Sequence, residues 1–186
     1  LGVFGKAAGE LAASEVNNKN SHKKITDNML GAALTRFDNL RTAKGNTRPN
    51  KIRKELQQTM QHHGSIFRKQ DLLAEGVSKL SNLWETAKND MQVADNSLIW
   101  NNDLLDALET DNLLRLASIT LTSALKRTES RGAHFRADFP KRDDVNWLTH
   151  SLASMNDNGE IKHSIRPVRL ESLEPQISFP PEERGY

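Results

Sequence analysis

Cysteine is absent from the chain's 186 residues. That removes thiolate zinc sites, iron–sulfur ligation and thiol nucleophiles from what this chain can itself supply. Aromatic residues are scarce, at 5%, so any core must be built mostly from Leu, Ala, Ile and Val. No apolar run approaches the ~20 residues that a membrane-spanning helix needs. A charge excess is missing too: 26 basic residues stand against 24 acidic ones. So near a balance argues against a dedicated nucleic-acid binder, despite a pI near 8.9. The opening residues lack the n-region, apolar h-region and cleavage pattern of a signal peptide. They begin on Leu1, inside a helical pattern, and read as a fragment of a longer protein.

What is present suits a soluble, helix-rich domain with a real core: 36% hydrophobic and 27% charged residues. Val3, Phe4, Ala7, Ala8 and Leu11 follow helical spacing, with Gly5 and Gly9 four apart for close packing of another backbone. Residues 17–24 are polar and basic and read as a linker. Thr26 can cap a helix carrying the stripe Met29, Ala33, Phe37 and Leu40. Pro49 fits the first turn of the next, whose stripe is Ile52, Leu56 and Met60 with Thr59 and His63, and which stops at Gly64. The adjacent His62 and His63 point about 100° apart on a helix, so they read as surface or boundary residues and not as a metal pair. A third helix over residues 66–88 carries Leu73, Val77, Leu80, Trp84 and Ala87, the seam of an antiparallel bundle. The longest, over residues 97–127, has the predicted buried line Leu105, Leu108, Leu114, Ala117, Leu121 and Ala124. Trp100 reads as a core anchor or an interface residue.

The stretch RTESRGAHFRADFPKRDDVNWLTHSL, residues 127–152, then concentrates Arg, Glu, Asp and His around a Gly and a Pro. Gly132 suits a left-handed position just past the long helix. Glu129 would then lie in the last turn, where the helix dipole disfavours it, and would need Arg127, Arg131 or another domain as partner. Arg136, Lys141 and Arg142 face Asp138, Asp143 and Asp144 across Phe139-Pro140. Two readings stand: a salt-bridged structural loop, or a loop that docks on a neighbouring domain or subunit. His134, near Glu129 and Arg131, is suited to acid–base chemistry, but no nucleophile or phosphate loop accompanies it. Beyond, residues 146–154 and 161–168 read as two strands joined at Asn158-Gly159, a two-residue hairpin signal. His150 and His163 lie one on each strand without a third ligand. A Pro-rich extended tail, residues 173–186, closes the chain. The whole predicts a mainly α fold. An antiparallel, spectrin-like bundle of three to four helices is followed by a charged loop, a small β-hairpin and an extended tail.

TESRGAH, residues 128–134, resembles a motif of the succinate dehydrogenase flavoprotein subunit. So do FGKAAGE (residues 4–10), ELQQTMQHHGSIFRK (55–69), DFPKRDDVNWLTHSL (138–152) and FPPEERGY (179–186), in the same order. The wider family includes fumarate reductase and L-aspartate oxidase flavoproteins, which share ESRG followed by His. Lys6 departs from the Arg usual in the FGRAAG segment and loses its bidentate fork. The resemblance implies only the last third of a subunit that oxidises succinate to fumarate. Hydride would pass to a covalently held FAD and electrons then to an iron–sulfur subunit and quinone. The flavin-linking, dinucleotide-binding and catalytic residues of that family would all lie upstream, so no catalytic, FAD-binding or metal-binding residue is assigned in this chain.

On this reading residues 1–16 end a helix of the FAD domain, 17–24 form a linker and 25–132 the bundle. Residues 133–186 supply the charged loop, hairpin and tail. Glu129, Arg131, His134, Arg136, Arg142 and Asp143 are the structural or docking candidates. Expected partners are the FAD-binding domain of the same subunit, the iron–sulfur subunit and, indirectly, membrane anchor subunits, with no nucleic acid. The resemblance places the complex on the cytoplasmic face of the bacterial inner membrane or the matrix side of the mitochondrial one. A free-standing helical adaptor, binding partners without catalysis, is the alternative of another class.

Overall fold

The computed structural model describes residues 2–17, 24–171, 177–180 and 182. The chain divides into two compact units, Leu1–Phe37 and Asp38–Tyr186. Helix α1 (Gly2–Asn17) and most of α2 (Asp27–Arg41) lie in the first. Thr26 caps α2 as expected, its Oγ1 accepting from the Met29 amide at 3.3 Å. Val3, Phe4, Leu11, Met29 and Leu34 are exposed, Phe37 and Leu40 of the expected α2 stripe are half-buried, and no residue of α2 is fully buried. The expected linker falls almost wholly outside the described residues.

The second unit holds the core. Helices α3 (Pro49–His63), α4 (Gln70–Asp90) and α5 (Asn102–Lys126) are in mutual contact. Their buried residues form the core: Ile52 and Leu56 from α3, Leu73, Leu80, Leu83 and Trp84 from α4, and Leu104, Ala107, Leu114 and Leu121 from α5. Three of the four expected stripes, those of α3, α4 and α5, pack on one another in this unit. The connection after α2 pairs instead with the end of α4: Lys44 bridges Gln92 and Thr47 bridges Met91. Asp90 fixes that turn, accepting from the Thr47 hydroxyl at 2.7 Å and the Asn46 amide at 3.0 Å.

Sequence expectation and structure part company at several points. The third helix starts at Gln70, because the chain bends over residues 64–67 after α3 and Lys69, just before the helix, is extended. The longest starts at Asn102, capped by Asn101, whose Oδ1 accepts from the Leu104 amide at 2.8 Å. Leu105 is 54% exposed and lies off the buried line, where Leu104 takes its place. Trp100 is 94% exposed and no core anchor.

His63 lies on the expected stripe of α3 and is buried, deeper than the surface or boundary position read for it. It fits because α4 carries Gly76 opposite: a Cβ there would come within 2.5 Å of the His63 Cβ. Its Nδ1 lies 3.0 Å from the Leu72 carbonyl and its Nε2 3.1 Å from Lys79 Nζ. Lys79 can only donate, so Nε2 accepts and Nδ1 carries the proton.

After the bundle, α6 (Asp144–Trp147) is a single turn. It occupies residues expected to begin the first strand. Strand β1 (Thr149–Met155) pairs antiparallel with β2 (Ile161–Pro167), with His150 opposite Arg166 and Ala153 opposite His163. The two histidines thus do not face each other. The connection is longer than the two residues expected. Asn156 Oδ1 accepts from the amides of Asn158 and Glu160, and only Gly159, at φ +85°, is left-handed. The hairpin packs on α5 through β1, and His163 Nε2 lies 3.1 Å from the Ser123 hydroxyl. Of the tail, residues 178–179 fold back on 170–171, with the Phe179 amide donating to the Leu170 carbonyl at 2.8 Å. Most of FPPEERGY lies outside the described residues. Among those described, no helix is long and apolar enough to cross a membrane.

A candidate docking site made of charged side chains

Helix α5 ends at Lys126, with Arg127 as an extended cap. Glu129 therefore lies beyond the helix, and the expected conflict with the helix dipole does not arise. Gly132 is left-handed, at φ +57°, but it turns the chain between Arg131 and His134 and does not end α5. These two residues exchange both backbone hydrogen bonds, at 2.8 and 3.0 Å.

The Glu129 carboxylate is fully buried. Its Oε1 accepts from Arg127 Nη2 at 2.6 Å and Arg131 Nε at 2.8 Å; its Oε2 accepts from Arg131 Nη2 and the Asp143 amide, both at 2.9 Å. Burial pushes this carboxyl up, but Arg131, the Asp143 amide and Arg127 together outweigh it and hold it below the usual carboxylate range. Arg131 also reaches Asp144 Oδ1 at 2.6 Å. Its guanidinium is held above its ordinary value, first by Glu129.

Arg136 is fully buried as well. Its Nη1 donates to the carbonyls of Ala124 at 3.1 Å and Leu125 at 3.0 Å, so it supplies the donors that the last turn of α5 lacks. Its Nε and Nη2 form a paired contact with Asp138, at 2.8 and 2.7 Å, and Nη2 also donates to Gln70 Oε1 at 3.1 Å. Asp138 in turn accepts from the Gln70 amide at 2.9 Å. It thereby caps α4 from a distant loop, where the local cap residue, Lys69, offers no acceptor. The Arg136 guanidinium beside it draws the Asp138 carboxyl down to about 2.

His134 joins the third helix end. Arg68 Nη1 lies 3.0 Å from His134 Nδ1, and His134 Nε2 lies 3.1 Å from the Arg127 carbonyl. A guanidinium only donates, so Nδ1 accepts and the proton sits on Nε2: the ring is neutral. Burial first, then the Arg68, Arg127 and Arg136 charges, push it below the ordinary imidazole range. Arg68 also donates through Nε to the carbonyls of Gly64 and Ser65, at 3.1 and 2.9 Å, at the end of α3.

The remaining candidates fasten the loop to α6 and to the tail. Asp143 caps α6, its Oδ1 accepting from the amides of Val145 and Asn146 at 3.1 and 3.0 Å. Arg142 donates to Asp144 Oδ2 at 3.0 Å and to the Glu182 carbonyl at 2.7 Å. All six candidates thus sit in one network, which binds the ends of α3, α4 and α5 to both segments. Arg68 and Gln70 complete it. Sequence reasoning missed both, because each meets its partner 66 residues away.

Chemically, the network can hold charge and position, and both nitrogens of its one imidazole are engaged. It does not fit a flavin: a dinucleotide diphosphate needs donors directed at it, and Arg127, Arg131, Arg136 and Arg142 are turned onto protein carboxylates and carbonyls.

Residues 53–186 match the family model described as the C-terminal part of the fumarate reductase flavoprotein. The chain is 43% identical, over 187 aligned positions, to the succinate dehydrogenase flavoprotein subunit of Rickettsia felis; the alignment covers 100% of this chain and 31% of that protein. It is 39% identical to the mitochondrial succinate dehydrogenase [ubiquinone] flavoprotein subunit of Oryza sativa, over 99% of this chain and 29% of that one. Among solved structures, an E. coli quinol fumarate reductase superposes with a TM-score of 0.83 at 31% identity, covering 94% of this chain and 30% of that chain. The chain spans about a third of the length of the curated relatives it matches.

Proposed function

The chain belongs to the C-terminal family of succinate dehydrogenase and fumarate reductase flavoproteins, and we propose that its charged network is the internal lock of that domain in a complete flavoprotein subunit. The lock holds three helix ends, the loop and the tail as one rigid body against which the catalytic part is built. The single observation that carries this reading is Arg136. It is fully buried, and it joins the end of α5 to Asp138 and, through Gln70, to the start of α4. A charge so placed is costly unless each donor has an acceptor, and its use is to fix one arrangement of the elements it touches.

The complete subunit, on this proposal, oxidises succinate to fumarate with an FAD held covalently outside this chain. Electrons leave through an iron–sulfur subunit to quinone in a membrane-bound complex. The names of the relatives support this, and so does the lack of fit between the guanidinium groups here and a diphosphate. The fumarate-reducing direction is the second reading, supported by the quinol fumarate reductase likeness. The isolated chain is expected to carry no flavin and to oxidise no succinate. The test is the visible spectrum and succinate oxidation of the complete subunit beside those of the chain alone. Flavin absorbance in the purified chain, or its absence from the complete subunit, would overturn the reading.

A further inference from the structure

Helix α5 carries two exposed leucines on the side opposite its core residues. Leu104, Ala107, Leu114 and Leu121 fill the core, while Leu105 and Leu116 stand on the far side, 54% and 62% exposed. At about 100° per residue the two are within roughly 20° of one another and lie about 16 Å apart along the axis. Glu109, on the same side, is paired with Arg53 at 2.6 Å.

Directly before α5, Leu98, Ile99 and Trp100 are exposed in succession. Trp100 has a left-handed backbone, φ +54°, the one such non-glycine among the described residues. A bulky side chain adopts that conformation only when its surroundings impose it. Here they do: Asn101 Nδ2 donates to the carbonyls of Asp95 at 2.6 Å and Ser97 at 2.9 Å, and Asp103 accepts from the Ala94 amide at 2.7 Å. The turn is a built feature that holds three apolar side chains out to solvent.

We propose that this ridge, the turn at Leu98, Ile99 and Trp100 with Leu105 and Leu116 of α5, is the face that packs against the remaining part of the same flavoprotein subunit. The proposal rests on the functional reading above and names the contact surface within it. The charged loop, which the sequence offers for docking, has its candidate groups turned inward; the apolar ridge has no cover within its own unit. An occupant on the same polypeptide is favoured because attachment raises its effective concentration to the order of millimolar. The relatives supply such an occupant: each carries more than two thirds of its length outside the part that this chain matches.

The test is hydroxyl-radical footprinting of the complete subunit, purified without any partner subunit and read by mass spectrometry. Buried Trp84, 8% exposed, serves as the internal reference for Trp100, 94% exposed in the chain by itself. Trp100 is expected to oxidise as slowly as Trp84, with Leu116 protected alongside it. Fast oxidation of Trp100 in the subunit, or protection that appears only when an iron–sulfur subunit is added, would overturn the assignment. As a second measurement, Leu116→Glu in the complete subunit is expected to split one thermal transition into two; a single unshifted transition counts against the ridge. Flavin content and succinate oxidation are read on the same preparation. A protected Trp100 in a subunit without flavin would sink the enzymatic reading and leave the docking face standing.

Discussion

Arg136 and Asp138 are two residues apart in sequence, and their paired hydrogen bonds of 2.8 and 2.7 Å join the C-terminal end of α5 to the N-terminal end of α4. The guanidinium neutralises one helix end and the carboxylate the other, so a local salt bridge performs a long-range task.

Removing half of that pair should cost far more than a surface charge would. Arg136→Met leaves the Ala124 and Leu125 carbonyls without their donor and Asp138 without its counter-ion. The expected loss is about 3–5 kcal/mol, the range for breaking a buried pair. Arg136→Lys should recover only a fraction, because an ammonium lacks the fork that spans both partners. Urea unfolding of the two variants measures the difference, and equal stability of the Lys variant and the parent would contradict the geometry.

Glu129→Gln keeps the shape of the side chain and removes its charge from between Arg127 and Arg131. A loss on the order of 2–4 kcal/mol is expected, since two guanidinium groups lose their shared acceptor charge. Arg131→Ala should destabilise the same unit, because its partners Glu129 and Asp144 are internal. Thermal unfolding that registers neither change would argue that the network contributes nothing to folding.

The pH response stems from His134, whose folded pKa lies below its ordinary value of 6.5. As pH falls below 6.5 the unfolded chain binds a proton that the folded ring resists. Stability therefore declines from there down to the depressed folded pKa. His163, also lowered by burial and by Lys126, acts in the same direction. The carboxylates act in a lower window: stability from Asp138 is present above 3.8 and is lost as pH falls towards its folded value of about 2. Melting temperatures recorded from pH 7 to 5 should fall, and His134→Gln should flatten that slope while leaving the decline below pH 4.

Gly76→Ala tests the packing under His63. A Cβ at position 76 would sit 2.5 Å from the His63 Cβ and 2.7 Å from Leu121 Cδ2, so helices α3 and α4 must separate. Overpacking of this kind costs about 1–3 kcal/mol. A stabilised variant, as the better helix propensity of Ala alone would give, would show that the contact is looser than described.

The helices were legible because their apolar spacing is local, and Pro49 and Thr26 mark helix starts by chemistry confined to one turn. Leu105 was misplaced for a physical reason: with apolar side chains on two sides of α5, periodicity does not say which side the bundle covers. The pairing of Arg136 with Asp138 and of Arg142 with Asp144 could be read from short spacing. Arg68 and Gln70 could not, because only folding brings them to His134 and Arg136. The Asn158-Gly159 signal misled on loop length because Asn156 closes a wider turn through its own side chain.

The most direct measurement is succinate turnover per bound flavin in the complete subunit carrying His134→Gln, with melting temperature recorded on the same sample. If the network is a lock and the chemistry lies elsewhere, the melting temperature falls while turnover of the folded enzyme stays within roughly twofold of the parent. A loss on the order of 10²-fold or more, the scale of a missing general acid or base, with the melting temperature unchanged, would contradict it and put His134 in the reaction.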